Sequence, residues 1–154
     1  MPDYKVFVIH DPGLWLDQFI ETVNIMVRRC GGSSTEFVIA QLLKGAGHPH
    51  HLILGACEEG KPDELVAWMF TSFIPDTLSP WAEVWGLWCK PGFAMPLRDM
   101  AMDHLLAWCK ERGAKRIMSI LTRNPRVFLK MLHETVGFKQ VGIVVQKELG
   151  DASG

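Results

Sequence analysis

"LLAWCKERGAKRIMSILTRNPRVFLKMLHETVGFKQVG", residues 105–142, passes from a helical repeat to a strand, to a second helix and to a second strand. Its beginning completes an apolar stripe of Leu97, Met100, Ala101, Leu105, Trp108 and Cys109, whose three- and four-residue spacing predicts a helix from about 96 to 112. Gly113 suits the left-handed residue that ends such a helix. "KRIMSILT" (115–122) reads as a strand. Asn124 then offers a helix cap with Pro125 at the first helical position, and Gly137 marks the exit. "FKQVGIVVQKEL" (138–149) is the last strand, and "GDASG" (150–154) is a tail.

Three more strands precede this stretch: "AEVWGLWC" (82–89), "ELVAWMFTSFI" (64–74) and "HLILGACEE" (51–59). Their nearly continuous apolar character predicts burial on both faces. "SSTE" places Ser33 three residues before Glu36, a capping box for a helix carrying Phe37, Val38, Leu42 and Leu43. A longer helix carries Leu16, Phe19, Ile20, Val23, Met26, Val27 and Cys30, with Asp11 as cap and Pro12 in the first turn. "YKVFVIH" (4–10) is the first strand. The order is β-α-α-β-β-β-α-β-α-β, an α/β chain whose mixed sheet carries helices on both faces.

The chain has 154 residues, 48% of them hydrophobic, which suits one domain over 1–149 with a real core. The formal charge of -1 argues against a general nucleic-acid binder. Nothing reads as a signal peptide or a membrane span. Cysteines 30, 57, 89 and 109 form no C-x-x-C pair and lie in or beside apolar runs, which predicts reduced buried thiols in a cytoplasmic protein. "HPHH" (48–51) clusters three imidazoles with no Cys, Asp or Glu at matching spacing, so it reads as surface histidines and no metal is expected.

The element order, "GAKRI", "VGFKQVG" and "AEVWGLWCKP" together resemble the GNAT superfamily of acyl-CoA-dependent N-acyltransferases over about residues 4–149. The resemblance implies central parallel strands, 82–89 and 115–122, that splay at their C-terminal ends. It implies acetyl-CoA as cofactor and transfer of acetyl or another small acyl group to an amine on a small molecule or a protein. The pantetheine and thioester would lie along Leu87, Trp88 and Cys89, and Asn124 and Arg126 would stand near the ADP end. A homodimer is compatible with it.

The family's pyrophosphate loop departs here. In "CKPGFAMPLRDM" (89–100), Pro96 and Arg98 stand at the two glycine positions, followed by Asp99. A proline has no N–H to offer a phosphate. Either Arg98 replaces lost amides with a charged contact, or 96–98 is a helix start with Pro96 in its favoured slot and Arg98 solvated. Weak CoA binding, no better than tens of micromolar, follows from this loop. Glu83 stands where histone-acetyltransferase-like members carry a general base, and apolar Trp81, Val84, Trp85 and Trp88 surround it in sequence. His133 stands four residues before the glycine of "GF", where the family often has a tyrosine that protonates the leaving thiolate. As a lone helical His it also fits a structural or exposed role.

Two other readings stand beside the enzyme. One is a catalytically inactive GNAT-like binding or structural protein, since small phage-encoded relatives have poor pyrophosphate loops and "RVFLK" resembles them. The other, transfer to a nucleic-acid base, is weakened by the lack of positive charge.

Overall fold

The computed structural model describes residues 3–30, 34–75, 78–92 and 94–119. The chain divides into two units, Met1–Ser119 and Ile120–Gly154. The expected helix at 124–137, the strand at 138–149 and the tail lie outside the described residues.

The first unit is a mixed α/β structure. Its strands β1 (Tyr4–Val8), β2 (His51–Glu58), β3 (Ala67–Ile74), β4 (Trp81–Cys89) and β5 (Arg116–Ser119) form one sheet in that order. β1 to β4 pair antiparallel, and β4 pairs with β5 in parallel. The segment expected as 64–74 pairs as a strand only from Ala67. Just before it, the Leu65 amide donates to the Gln18 side chain instead (2.7 Å).

Helix α1 (Leu16–Cys30) follows a 3₁₀ turn at Pro12–Trp15, where the Asp11 carboxylate accepts from the Gly13 amide at 3.0 Å. Helix α2 (Thr35–Gly45) is capped by Ser34, not Ser33: its hydroxyl accepts from the Phe37 amide at 3.1 Å. The cap satisfies an orphan first-turn amide. Val38 and Leu42 point inward, whereas Phe37 and Leu43, also expected in the apolar stripe, are exposed. Helix α3 (Ala94–Arg112) begins two residues earlier than expected, so Pro96 is its third residue rather than its first. That position still lies in the first turn, where a missing N–H costs no intrahelical bond. Gly113 takes φ +73°, and the Ala114 amide reaches back to the Cys109 carbonyl at 3.0 Å, closing the helix.

The two faces of the sheet are packed differently. Ile53 of β2, Trp68 and Phe70 of β3, and Trp85 and Trp88 of β4 pack with Phe19 and Val23 of α1 and Val38 and Leu42 of α2. Trp68 is buried edge-on to Phe19, with its indole N–H donated to the Thr22 hydroxyl at 2.8 Å, so this core leaves that donor satisfied. On the opposite face, Leu52, Leu54, Met69, Ala82 and Val84 pack with Leu105, Trp108 and Cys109 of α3. Met100 is exposed, and Met102 packs there in its place.

Candidate active site

The β3–β4 register slips between Phe70 and Thr71: Phe70 faces Gly86, while Thr71 faces Val84. Trp85 is therefore an extra residue on β4, a β-bulge. A bulge bends its strand, sharpens the local twist and re-aims the side chains around it. Gly86 follows because a Cβ there would stand 3.1 Å from the Trp68 ring.

The bulge brings a small polar group together on the face covered by α1 and α2. The β2–β3 register pairs His51 with Ser72, and the β3–β4 register pairs Ser72 with Glu83. These three side chains form one row across three strands. Otherwise this face of β2, β3 and β4 carries Ile53, Gly55, Cys57, Trp68, Phe70, Ile74 and the residues Trp81, Trp85, Gly86 and Trp88. Glu83 is half-buried within it, and Met118 of β5 pairs with it from the other side.

Ser72 Oγ lies 2.9 Å from His51 Nδ1 and accepts from Trp85 Nε1 at 3.1 Å. The Trp85 ring packs on Phe70, 4.1 Å between centroids. His51 is thus not a surface histidine, unlike the exposed His48 beside it. Burial, and then the nearby His48 and His50, push its pKa below the ordinary 6.5.

Beyond the bulge the expected thioester-side residues separate. Leu87 pairs with Met69 on the α3 face and is 50% exposed. Trp88 pairs with Trp68 and packs against the core beneath α1 and α2. Cys89 is half-buried, and burial raises its thiol pKa. Cys57 and Cys109 are buried free thiols raised in the same way. Among the described residues, no group of His, Cys, Asp and Glu is arranged to hold a metal, and no helix is long and apolar enough to cross a membrane.

β4 and β5 pair from Trp81–Arg116 to Val84–Ser119. The continuation of β5, where the splay is expected, lies outside the described residues, as do His133, Asn124 and Arg126.

A short turn with Gly92 at φ +88° joins β4 to α3. The conformation requires glycine there although nothing crowds the position. The start of α3 keeps the positive end of its dipole, but Pro96 withdraws one first-turn amide. Arg98 is not solvated: its side chain is 16% exposed, and Nε donates to Asp99 Oδ1 at 2.9 Å. The reading of this loop as a helix start with a solvated arginine is corrected in that respect. The remaining amides, the dipole and a guanidinium fit a diphosphate, with a carboxylate competing for the guanidinium.

No family model matches the chain, and no curated protein matches it in sequence. Solved structures do match it in fold. The aminoglycoside 6'-N-acetyltransferase AAC(6')-Ih of Acinetobacter baumannii superposes with a TM-score of 0.71 at 16% identity, covering 96% of this chain and 100% of that one. Glucosamine-6-phosphate N-acetyltransferase of Arabidopsis thaliana gives 0.68 at 16% identity, over 95% and 98% of the two chains. AAC(6')-Iy in complex with a CoA bisubstrate analogue gives 0.72 at 13% identity, over 96% and 98%. The fold expected from the sequence, that of the GNAT N-acetyltransferases, is the fold of this chain.

Proposed function

We propose that the protein is an acyl-CoA-dependent N-acyltransferase that moves acetyl, or another small acyl group, to the amine of a small molecule. The observation that carries this reading is Glu83: a half-buried carboxylate at the end of a short polar row in a largely apolar wall, beside a bulge on the strand that pairs in parallel with β5. The neighbours that act on aminoglycosides and on glucosamine-6-phosphate support a small amine acceptor.

Acetyl-CoA would supply an activated acyl group as a thioester. The amide groups at the start of α3, with Arg98, would hold its diphosphate, and the strand from Leu87 to Cys89 would run beside its pantetheine arm. Glu83 would take the proton of the attacking amine, directly or through one water. Apolar Trp81 and Trp85 on either side in the strand would keep bulk water from competing for that proton. Backbone N–H groups of β4 would polarise the carbonyl as charge develops on its oxygen. His133 is proposed as the donor to the departing thiolate.

A binding module without catalysis is the second reading, and the α3 start favours it: one amide is lost at Pro96 and Arg98 is already paired with Asp99. A structure with this fold is described as a transcriptional regulator from Bacillus halodurans, at 15% identity and a TM-score of 0.71. Two measurements decide between the readings. Thiol release from acetyl-CoA over a panel of amines, aminoglycosides and amino sugars included, should show transfer to at least one. Titration calorimetry should show acetyl-CoA binding in the range of tens of micromolar that weakens in Arg98→Ala. No binding and no transfer would leave the non-catalytic module.

A further inference from the structure

Ser72 has one proton to give and two lone pairs to share. The indole N–H of Trp85 can only donate, so one lone pair of Ser72 is taken by it at 3.1 Å. The remaining bond, 2.9 Å to His51 Nδ1, can run in either direction. The His51 ring is held for it. Phe70 lies 5.5 Å away and His48 4.9 Å away between ring centroids, and a Cβ at Gly45 would stand 3.3 Å from His51 Cγ. A neutral imidazole with its proton on Nε2 accepts at Nδ1, and the Ser72 proton then points to His51. Glu83, the cross-strand partner of Ser72, stands on its other side, with Cβ atoms about 5 Å apart in such a pair.

We propose that Ser72 and His51 are positioning residues for the bulged part of β4. Ser72 holds the Trp85 indole, His51 orients the Ser72 hydroxyl, and together they hold one geometry for the bulge and for Glu83 beside it. The catalytic meaning of that geometry rests on the acyltransferase reading; the network itself does not. Burial and the neighbouring histidines favour the neutral imidazole. When His51 gains a proton, Nδ1 becomes a donor. Ser72 then receives two donors, and its own proton is free to turn toward the carboxylate of its cross-strand partner Glu83. The ionisable groups that act on His51 are His48 and His50 in the preceding turn, and both favour its neutral ring. Of the helices, α2 carries Glu36 and Lys44, and α3 ends in Glu111 and Arg112, which are paired with each other at 3.4 Å while Arg112 also donates to the Pro49 carbonyl at 2.8 Å.

The test uses the full chain, labelled to observe tryptophan indole N–H groups and glutamate carboxyl carbons by NMR. In wild type, acidification from pH 8 to 5 should move the Trp85 indole signal and the Glu83 carboxyl signal in step with the His51 ring. Ser72→Ala should shift both signals at pH 8 and speed indole N–H exchange roughly three- to ten-fold, the scale of one lost hydrogen bond. Ser72→Thr, which keeps the hydroxyl, should restore them. His51→Asn, whose amide oxygen can stand near Nδ1, should keep the high-pH signals and abolish their pH dependence. A Trp85 signal that ignores the His51 titration in wild type overturns the proposal without any variant. So does a folded Ser72→Ala with both signals unmoved. If wild type transfers acyl groups, Ser72→Ala should lower kcat and leave the KM for acetyl-CoA in place. A wild type with no transfer activity removes the acyltransferase reading and leaves the NMR outcome to stand or fall by itself.

Discussion

The hydroxyls of Thr71 and Ser72 leave β3 on opposite faces of the sheet. Thr71 is fully buried opposite Val84 on the α3 side, and its Oγ1 has no hydrogen-bond partner. Ser72 is half-buried and bonded to both His51 and Trp85. One register slip lies between Phe70 and Thr71, so both hydroxyls border the same bulge. The α3 face is a packed core in which a hydroxyl is a cost, on the order of 1–3 kcal/mol when unpaired. The face beneath α1 and α2 gathers its polar groups into one row ending at Glu83. A site and a core can thus share a single strand, provided that the pleat sends alternate residues to different surroundings.

The sharpest way to break this comparison is to remove the carboxylate that makes one face a site. Glu83→Gln keeps size and hydrogen bonding but cannot take a proton. Steady-state turnover should fall by roughly 10²- to 10⁴-fold, while acetyl-CoA affinity measured by calorimetry stays within about two-fold. Unchanged turnover in the variant, both below and above neutral pH, removes the base role and with it the functional difference between the two faces.

The hydroxyl pair gives the next effect. Thr71→Val keeps the shape and deletes an unpaired polar atom, so it should stabilise the fold by about 1 kcal/mol and raise Tm by roughly 2–4 °C. Ser72→Ala should move Tm the other way, by a similar amount. Thermal unfolding of the two variants side by side decides. A destabilised Thr71→Val would mean that the buried hydroxyl has a partner after all, and the two faces would no longer differ in kind.

Much of this was legible in the sequence. The five described strands lie in apolar runs long enough to be strands, and Glu83 was singled out by the resemblance of "AEVWGLWCKP" to the family's central strand, not by any local alternation. His51 and Ser72 were not legible, because their roles come from register between strands that are 21 residues apart, which no local pattern carries. "HPHH" lies next to glycine and proline and looks like a solvated turn, as His48 indeed is. For a related reason, helical spacing does not tell that Arg98 is largely shielded and paired with the adjacent Asp99 side chain.

The pH dependence of stability gives a smaller effect on the same row. The folded state holds the His51 pKa below 6.5, so near that pH the unfolded chain binds a proton that the folded chain resists. Above about 6.5 both states carry the neutral ring, and His51 contributes no slope. As pH falls through 6.5 toward the folded value, stability is lost, and below that value the loss levels off. His51→Asn should therefore show a smaller drop in Tm between pH 7.5 and 5.5 than wild type. An equal drop would assign the acid sensitivity to other groups and detach His51 from the row.

The smallest effect concerns the start of α3, where the chain meets a diphosphate if the enzyme reading holds. Asp99 is 71% exposed and accepts from Arg98 Nε at 2.9 Å. A pair with one partner so open to solvent is worth about 1 kcal/mol. Asp99→Asn removes that competitor and one negative charge from the vicinity of any bound phosphate. Acetyl-CoA should then bind more tightly, by a factor of up to about five, and the gain should shrink as salt is added. Arg98→Ala should weaken binding by more than Asp99→Asn strengthens it, because a charge-assisted contact to phosphate exceeds such an ion pair. Both variants weakening CoA to the same extent would give a different result: Asp99 would be orienting Arg98 toward the phosphate, and the carboxylate would count as part of the diphosphate site rather than as its rival. Calorimetry on wild type and the two single variants, at low and high salt, separates the two roles of Asp99.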